Sequence, residues 1–412
     1  MRKRVILKAP LLTRSGYGEQ ARFALRSLRS REDLFEIFIQ PLQWGQTSWV
    51  NEYNEEKKWI DRTIEKTISY LQQGGTFDMS LQVTIPNEFE RLAQFNVGFT
   101  AGIETTKVSP QWIQKVNEMD KVIVVSNHAK RGFDDTKYQA QNTQTGETVM
   151  LETRTPVEAV NYPVKNFESL QELDLQLETS FNFLTVAQFG PRKNLENTIK
   201  WFVEEFRTED VGLVIKSNIA KNCYIDRRRL LTTLKNLLAQ LGDRTCKVYL
   251  LHGDMSDEEM HSMYKNKNID CLLSLAHGEG FGLPIFEAAY SGLPVIAVGW
   301  SGQLDFLIDS NGKEQFYNVS FDLNPVPEAV HWEGVIEPGS MWAYPKERSA
   351  KEQMRLCYKH VTSNCVPWNN SKISDRFSQE KQYEKFVNAF YEQSKTTEEW
   401  LGEIESIIQE FE

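Results

Sequence analysis

Short apolar runs alternate with amphipathic stretches along most of this 412-residue chain, and no other feature restricts its fold as strongly. Strands that feed helices and return in parallel build βαβ units, with helices on both faces of a mostly parallel sheet. Residues 5–9 read as a first strand and residues 13–18, Thr-Arg-Ser-Gly-Tyr-Gly, as a break. A helix follows, with Phe23, Ala24, Leu25 and Leu28 inward and Arg22, Arg26 and Arg29 outward. Residues 79–83, 97–100 and 121–125 continue the series as strands. A second series opens at residues 181–187 and continues with strands at 212–216, 248–251, 271–275 and 295–298. Helical periodicity fills residues 197–206 and 227–241.

Residues 142–147 carry a turn signal flanked by 148–151 and 157–160, which reads as a β-hairpin near the end of the first domain. A proline-containing, then acidic stretch at 162–173 reads as a linker. Near the C-terminus, Tyr383, Phe386, Val387 and Phe390 recur at helical spacing, as do Trp400, Leu401, Ile404, Ile407, Ile408 and Phe411. The expected division is 1–165, 166–375 and a helical tail, 376–412.

Composition narrows the function classes. A 40% hydrophobic content supports packed cores and argues against disorder. A net charge of −10 weighs against a dedicated nucleic-acid binder, although Lys130-Arg131 and Arg227-Arg228-Arg229 form local basic clusters. The five cysteines are odd in number and form no C-x-x-C pair, which fits reduced thiols and no zinc site. The opening residues hold too short an apolar run for a signal peptide, and no run is long enough to span a membrane. A cytoplasmic protein is expected.

The densest chemistry lies in His277-Gly-Glu-Gly-Phe-Gly-Leu-Pro-Ile-Phe-Glu287. Gly278, Gly280 and Gly282 follow an apolar strand and let backbone approach a ligand closely. Pro284 suits a first helical turn. Ligands of open α/β sheets bind outside the carboxyl ends of strands, where Glu279 and Glu287 stand. A carboxylate accepts paired hydrogen bonds from vicinal hydroxyls, so two of them eight residues apart suit two polyols.

This string resembles the E-x7-E motif of family 4 retaining glycosyltransferases with the GT-B fold, including their E-G-F-G-L-P core. The resemblance implies two Rossmann-like domains facing each other across a donor/acceptor cleft, with C-terminal helices crossing back to the first. It implies that a hexose- or pentose-type sugar moves from a nucleoside-diphosphate sugar to an acceptor hydroxyl with retention of configuration. UDP is the family's commonest donor nucleotide. Glu279 would contact the transferred sugar and Glu287 the ribose. Phe189-Gly-Pro-Arg-Lys-Asn194 resembles the family's phosphate-binding segment and makes Arg192 and Lys193 the diphosphate contacts, although the family's earlier arginine position holds Gln188 or Ala187 here. Ser301 and Gly302 resemble the loop whose free N–H groups meet the diphosphate. Gly16, Tyr17 and Gly18 resemble the first domain's Gly-rich loop. Lys216, His277, Gly280, Phe281, Gly282 and Leu283 complete the expected donor site.

On the acceptor side, Gly98-Phe-Thr-Ala-Gly-Ile-Glu-Thr-Thr106 resembles a segment found in a subset of these transferases. It places Glu104 in the cleft to orient or deprotonate the acceptor hydroxyl. His128 is expected to line the same cleft. Glu337-Pro-Gly-Ser-Met-Trp-Ala-Tyr-Pro345 resembles a W-A-x-P segment of that subset, with no chemistry readable from sequence. No D-x-D metal pair is present, and no cofactor is implied. The acceptor stays open among a polysaccharide, a lipid-linked sugar and a modified DNA base. A nucleotide-sugar epimerase and a non-catalytic nucleotide-sugar binding protein are the alternatives, because fold does not fix function.

Overall fold

The computed structural model describes residues 2–45, 47–50, 52–141, 146–368 and 371–392. Two six-stranded sheets dominate it. The first runs in the order Val157–Ala159, Lys121–Val124, Phe95–Thr100, Met79–Val83, Lys3–Ala9, Phe35–Pro41. The second runs Lys247–Leu251, Val211–Lys216, Phe181–Val186, Cys271–Ser274, Val295–Val298, Tyr317–Val319. Every pairing in both is parallel. The second sheet starts at a central strand and the first at the strand beside its Phe35–Pro41 edge, and each then winds outward in both directions. Loops therefore diverge between Lys3–Ala9 and Met79–Val83 in the first sheet, and between Phe181–Val186 and Cys271–Ser274 in the second. Such switch points make crevices at the carboxyl edge.

The first helix, Gly16–Arg29, is capped by Ser15, whose side chain accepts from the Gly18 N–H. One expected outward residue turns inward. Arg22 is buried because its guanidinium donates to the carbonyls of Leu11 at 2.9 Å and Thr13 at 3.0 Å, closing the loop before the helix.

The hairpin also differs from expectation. Its strands are Lys137–Gln141 and Thr148–Glu152, and part of the expected turn, 142–145, lies outside the described residues. The stretch assigned to its second strand instead pairs with Lys121–Val124 as the edge of the main sheet. The strand Phe35–Pro41 was not foreseen. Its apolar run is interrupted by Glu36 and Gln40, which share a face with the buried Phe38 and stay partly or fully exposed at the edge of the sheet.

Residues 160–180 join the sheets without helix or strand. The helix Gln379–Phe390 then returns to the first sheet, where Phe386 meets Phe23 at 5.2 Å and Phe99 at 5.0 Å. The second apolar pattern, from Trp400 to Phe411, lies outside the described residues. A hairpin absent from the sequence reading, Phe321–Pro325 with Met341–Pro345, carries an arm that buries Val335 in the first domain's core beside Trp112 and Ile113.

Phe386→Ala removes the ring that anchors the returning helix. It is expected to cost about 3–5 kcal/mol in chemical denaturation; a loss below about 1 kcal/mol would show that the helix does not depend on this anchor.

Candidate functional site

The strand Cys271–Ser274 ends at the second switch point and passes into the Gly-rich loop. Gly282, at φ +92°, then turns the chain into the helix Leu283–Tyr290. The loop lies against its neighbours by backbone. A Cβ on Gly302 would stand 2.0 Å from the Gly280 carbonyl oxygen, so that approach admits only glycine. From the other sheet, the Ser126 hydroxyl donates to the same carbonyl at 2.5 Å.

Glu279 is 7% exposed and is held from three sides. Lys193 Nζ lies 2.5 Å from Oε1 and Arg192 Nη1 lies 3.1 Å from Oε2. Its N–H donates to Ser301 Oγ at 2.9 Å, and its carbonyl accepts from the Gly302 N–H at 3.0 Å. Burial pushes the carboxyl's pKa up, but Lys193 and then Arg192 outweigh burial and hold it below its ordinary value, so it stays ionised. Arg192 also donates to the Gly278 carbonyl at 2.7 Å, while its second nitrogen lies 3.1 Å from Glu104 Oε1 on the first domain. One guanidinium thus joins Glu279 to Glu104. The two cations stand on the turn Pro191–Lys193, which follows the strand Phe181–Val186. Asn194 fixes that turn by donating to the Leu275 carbonyl at 3.1 Å.

Glu287, half-buried in the following helix, accepts from Tyr264 Oη at 3.1 Å. Burial raises its pKa to about 7, with Asp257 and Glu19 adding to the rise and Lys165 opposing it. Lys165, from the segment joining the sheets, reaches Asp257 at 2.8 Å and Glu19 at 3.0 Å. Lys165 was not anticipated, since a lone lysine in a linker gives no sequence signal.

The two glycines of the first domain's loop differ. A Cβ on Gly18 would lie 2.0 Å from the Thr13 carbonyl oxygen, whereas one on Gly16 would meet nothing within 4 Å. Gly18 is required by the chain's own packing, and Gly16 leaves space beside the loop. Tyr17 turns inward, its hydroxyl 2.9 Å from Thr100 Oγ1 and its ring stacked on Trp44 at 4.1 Å. Phe281 points its ring into the core, 5.1 Å from Tyr162 and 5.0 Å from Phe306. Leu283, partly buried, packs against that core. Ser301 takes φ +80° and places its hydroxyl 2.8 Å from Gln303 Oε1. Lys216 bonds the Gly253 carbonyl, apart from the Glu279 cluster, and burial lowers its pKa.

His277 explains the W-A-x-P segment. Its Nδ1 lies 2.9 Å from the Ala343 carbonyl, while the Ala343 N–H donates back to the His277 carbonyl at 3.0 Å. A carbonyl only accepts, so Nδ1 carries the proton. Burial holds the ring's pKa below its ordinary value, and Nε2 is therefore the unprotonated nitrogen. Trp342 lies parallel to the ring at 5.4 Å. Among the described residues, no three His, Cys, Asp or Glu side chains are grouped to hold a metal ion, and no helix is long and apolar enough to cross a membrane.

Residues 170–313 match the family model for glycosyl transferases group 1. No curated protein sequence matches the chain. Among solved structures, it is similar to Anabaena HepE in complex with UDP and glucose, at 12% identity and TM-score 0.57, covering 94% of this chain and 99% of that one. Sucrose-phosphate synthase from Thermosynechococcus elongatus is similar at 12% identity and TM-score 0.58, covering 94% and 98%. An E. coli structure described as trehalose-6-phosphate bound with UDP-2-fluoro glucose is similar at 9% identity and TM-score 0.58, covering 95% and 99%. At these identities the likeness is one of fold, the two-domain GT-B arrangement.

Two predictions follow from the site's packing and charge. Gly302→Ala is expected to lose about 1–3 kcal/mol through the forced clash, while Gly16→Ala stays within about 0.5 kcal/mol of the unmodified protein; equal thermal-unfolding losses would contradict the contrast. For Glu287, the unfolded chain gives up its proton near pH 4.5 and the folded chain near pH 7. Its contribution is thus fully present below about pH 4.5 and lost as pH rises through 7, on the order of 3 kcal/mol in all. Relative to the unmodified protein, Glu287→Gln is expected to gain melting temperature across that window, and a flat difference would contradict the raised pKa.

Proposed function

We propose that this chain, whose residues 170–313 form a glycosyl transferase group 1 domain within a GT-B fold, moves a sugar from a nucleoside-diphosphate donor to an acceptor hydroxyl with retention of configuration. The observation that carries this reading is the placement of Glu279, Arg192 and Lys193 on the two loops that flank the second sheet's switch point, with Glu287 one helix segment beyond. Residues 1–165 supply the acceptor side and 166–375 the donor side, and from the tail that starts at 376 the helix Gln379–Phe390 packs back on the first domain.

In this reading the donor diphosphate draws Arg192 and Lys193 from the carboxylates they now neutralise. The N–H groups at Ser301 and Gly302 add to its grip. Freed of its cations, Glu279 accepts hydroxyls of the transferred sugar, and Glu287 accepts those of the ribose. His277 presents an unprotonated Nε2 to the same sugar, and Gly16 lets the first domain's loop close on the phosphates. Glu104, released from Arg192, orients the acceptor hydroxyl. The acceptor attacks on the face from which the nucleotide leaves, and the departing phosphate takes its proton. The protein's work is positioning and stabilisation of phosphate charge, and no resident cofactor is needed. Two cavities of about 30 Å³ border Glu287, so in this reading the cleft widens there to admit the donor nucleoside.

UDP is the first donor nucleotide to test, since HepE is similar in fold and its structure holds UDP and glucose. Incubation with UDP-, GDP- and ADP-sugars is expected to release nucleotide from one donor. Glu279→Ala lowers that rate at least about 100-fold, and Lys193→Ala by a similar factor, as expected for groups that stabilise transition-state charge. Glu104→Ala lowers transfer to an acceptor while leaving donor binding in place. Stabilisation by a nucleotide sugar without any release would instead favour a binding protein, and conversion of the sugar without release of nucleotide an epimerase.

A further inference from the structure

The helix that follows the strand Val211–Lys216 carries a face that the donor machinery does not use. It spans Tyr224–Gln240, and of its residues only Asp226, Leu230 and Leu234 are buried. Tyr224 is 76% exposed, more than any other large hydrophobic side chain among the described residues, and Ile225 beside it is 63% exposed. Arg228 lies four residues after Tyr224 and three after Ile225, so it shares their face, and Lys235 continues the same stripe. Arg227 and Arg229 flank the stripe and Lys221 precedes it, all of them exposed. Among the described residues none of these five cations is paired with a carboxylate.

That exposure is fixed by the packing behind it. Asp226, the helix's one acid, accepts from the N–H groups of Ile219, Ala220 and Lys221 at 3.0, 2.9 and 3.3 Å, and His252 Nε2 lies 2.9 Å from the same carboxylate. The loop before the helix is also held by the segment that leads to Arg192 and Lys193. Gln188 Nε2 donates to the Ile219 carbonyl at 2.6 Å, and the Phe189 N–H donates to the Asn218 carbonyl at 2.7 Å. The helix's only acid thus serves its own loop and leaves the cations outside it unpaired. One exposed apolar side chain says little, because folded surfaces carry many. Two adjacent ones on a fixed corner, ringed by unpaired cations in a chain of net charge −10, mark a contact surface.

Five free cations and the positive end of a helix call for an anionic partner. The two apolar side chains say which. Nucleic acid offers phosphates to the arginines but no hydrocarbon to Ile225. The boundary between lipid headgroups and acyl chains offers both, and it is where a tyrosine ring settles with its hydroxyl in water. At physiological ionic strength charges beyond about 8 Å are screened, so the cations at the contact outweigh the chain's overall acidity. We propose that this face docks the protein on the surface of an anionic lipid bilayer. Tyr224 and Ile225 enter the headgroup boundary, and Lys221, Arg227, Arg228 and Arg229 engage the lipid phosphates. The helix starts at the carboxyl edge of the second sheet, so docking brings the rim that carries Arg192 and Lys193 towards the bilayer. This holds whether or not the transferase reading does.

Vesicle flotation of the full chain at physiological ionic strength tests this, with phosphatidylcholine alone and with phosphatidylcholine mixed with phosphatidylglycerol. The unmodified protein is expected to bind the mixed vesicles at least about tenfold more tightly than the neutral ones. Two variants separate charge from insertion. Arg227→Ser with Arg228→Ser and Arg229→Ser loses at least about 30-fold, since each cation near an anionic surface is worth about fivefold. Tyr224→Ser with Ile225→Ser keeps every cation and loses at least about tenfold. All these side chains are exposed, so both variants unfold at the temperature of the unmodified protein, which a thermal melt of the same samples checks. Failure to bind the mixed vesicles overturns the proposal, as does arginine-variant binding within about threefold of the unmodified protein. Full binding by the Tyr224 and Ile225 variant overturns it too, because attraction without insertion is not docking. A DNA or RNA oligonucleotide that displaces the vesicles and is bound more tightly than they are makes the partner a nucleic acid and overturns it as well.

Discussion

A carboxylate as buried as Glu279 stays ionised only beside a positive charge, and the arrangement of both domains around this site follows from how that charge is supplied. Lys193 and one nitrogen of Arg192 meet Glu279, and the other nitrogen of Arg192 meets Glu104 across the cleft. Removing either cation would leave an uncompensated charge in a poorly solvated place. The same two cations are the groups that a diphosphate would claim. In the proposed function, donor capture would free both carboxylates in one event, one for the donor sugar and one for the acceptor. In this structure the two cations and the two carboxylates neutralise one another.

Topology makes that cluster possible. Parallel sheets place all their carboxyl ends on one edge, and a strand order that reverses direction opens a crevice there. Here two such edges face each other. The segments that connect them are few and distinct: the irregular stretch 160–180, the returning helix Gln379–Phe390, and the arm that seats Val335 beside Trp112. The arm's root is the strand Met341–Pro345, where Ala343 accepts from the His277 ring and donates to the His277 carbonyl, and where the Met341 N–H donates to Thr106 Oγ1 at 3.1 Å. One strand thus joins the segment that carries Glu104 to the ring of His277.

Glu287 and Lys165 form a second electrostatic centre with a different character. Lys165 satisfies Asp257 and Glu19 directly, and Glu287 takes only a tyrosine hydrogen bond. Burial, with Asp257 and Glu19 adding to it, keeps its carboxyl protonated to about pH 7. A neutral or half-neutral carboxyl can both donate to and accept from ribose hydroxyls, which differs from the fully ionised Glu279 eight residues earlier.

Much of this was legible in the sequence because it is local. Strands, the helix after Ser15, and the run from His277 to Glu287 are specified by neighbouring residues: apolar periodicity, a cap, a proline at a helix start, glycines where backbone meets backbone. That is enough to indicate two α/β units and to place Glu279, Glu287, Arg192 and Lys193 at strand ends. Sequence spacing could not show that Arg192 would reach Glu104, that Lys165 would stand beside Glu287, that Ala343 would lock the tautomer of His277, or that Trp300 would cover His128. It also misassigned residues 157–160, whose pattern suits a hairpin as well as a sheet edge. Each of these depends on pairings between residues tens to hundreds of positions apart. Such pairings are decided by how the two sheets pack together, and the burial that follows from that packing sets which groups carry charge. The sequence by itself determined which residues stand at the ends of strands; the tertiary structure alone decided which of them meet, because distance and dielectric belong to the folded assembly and not to the order of the chain.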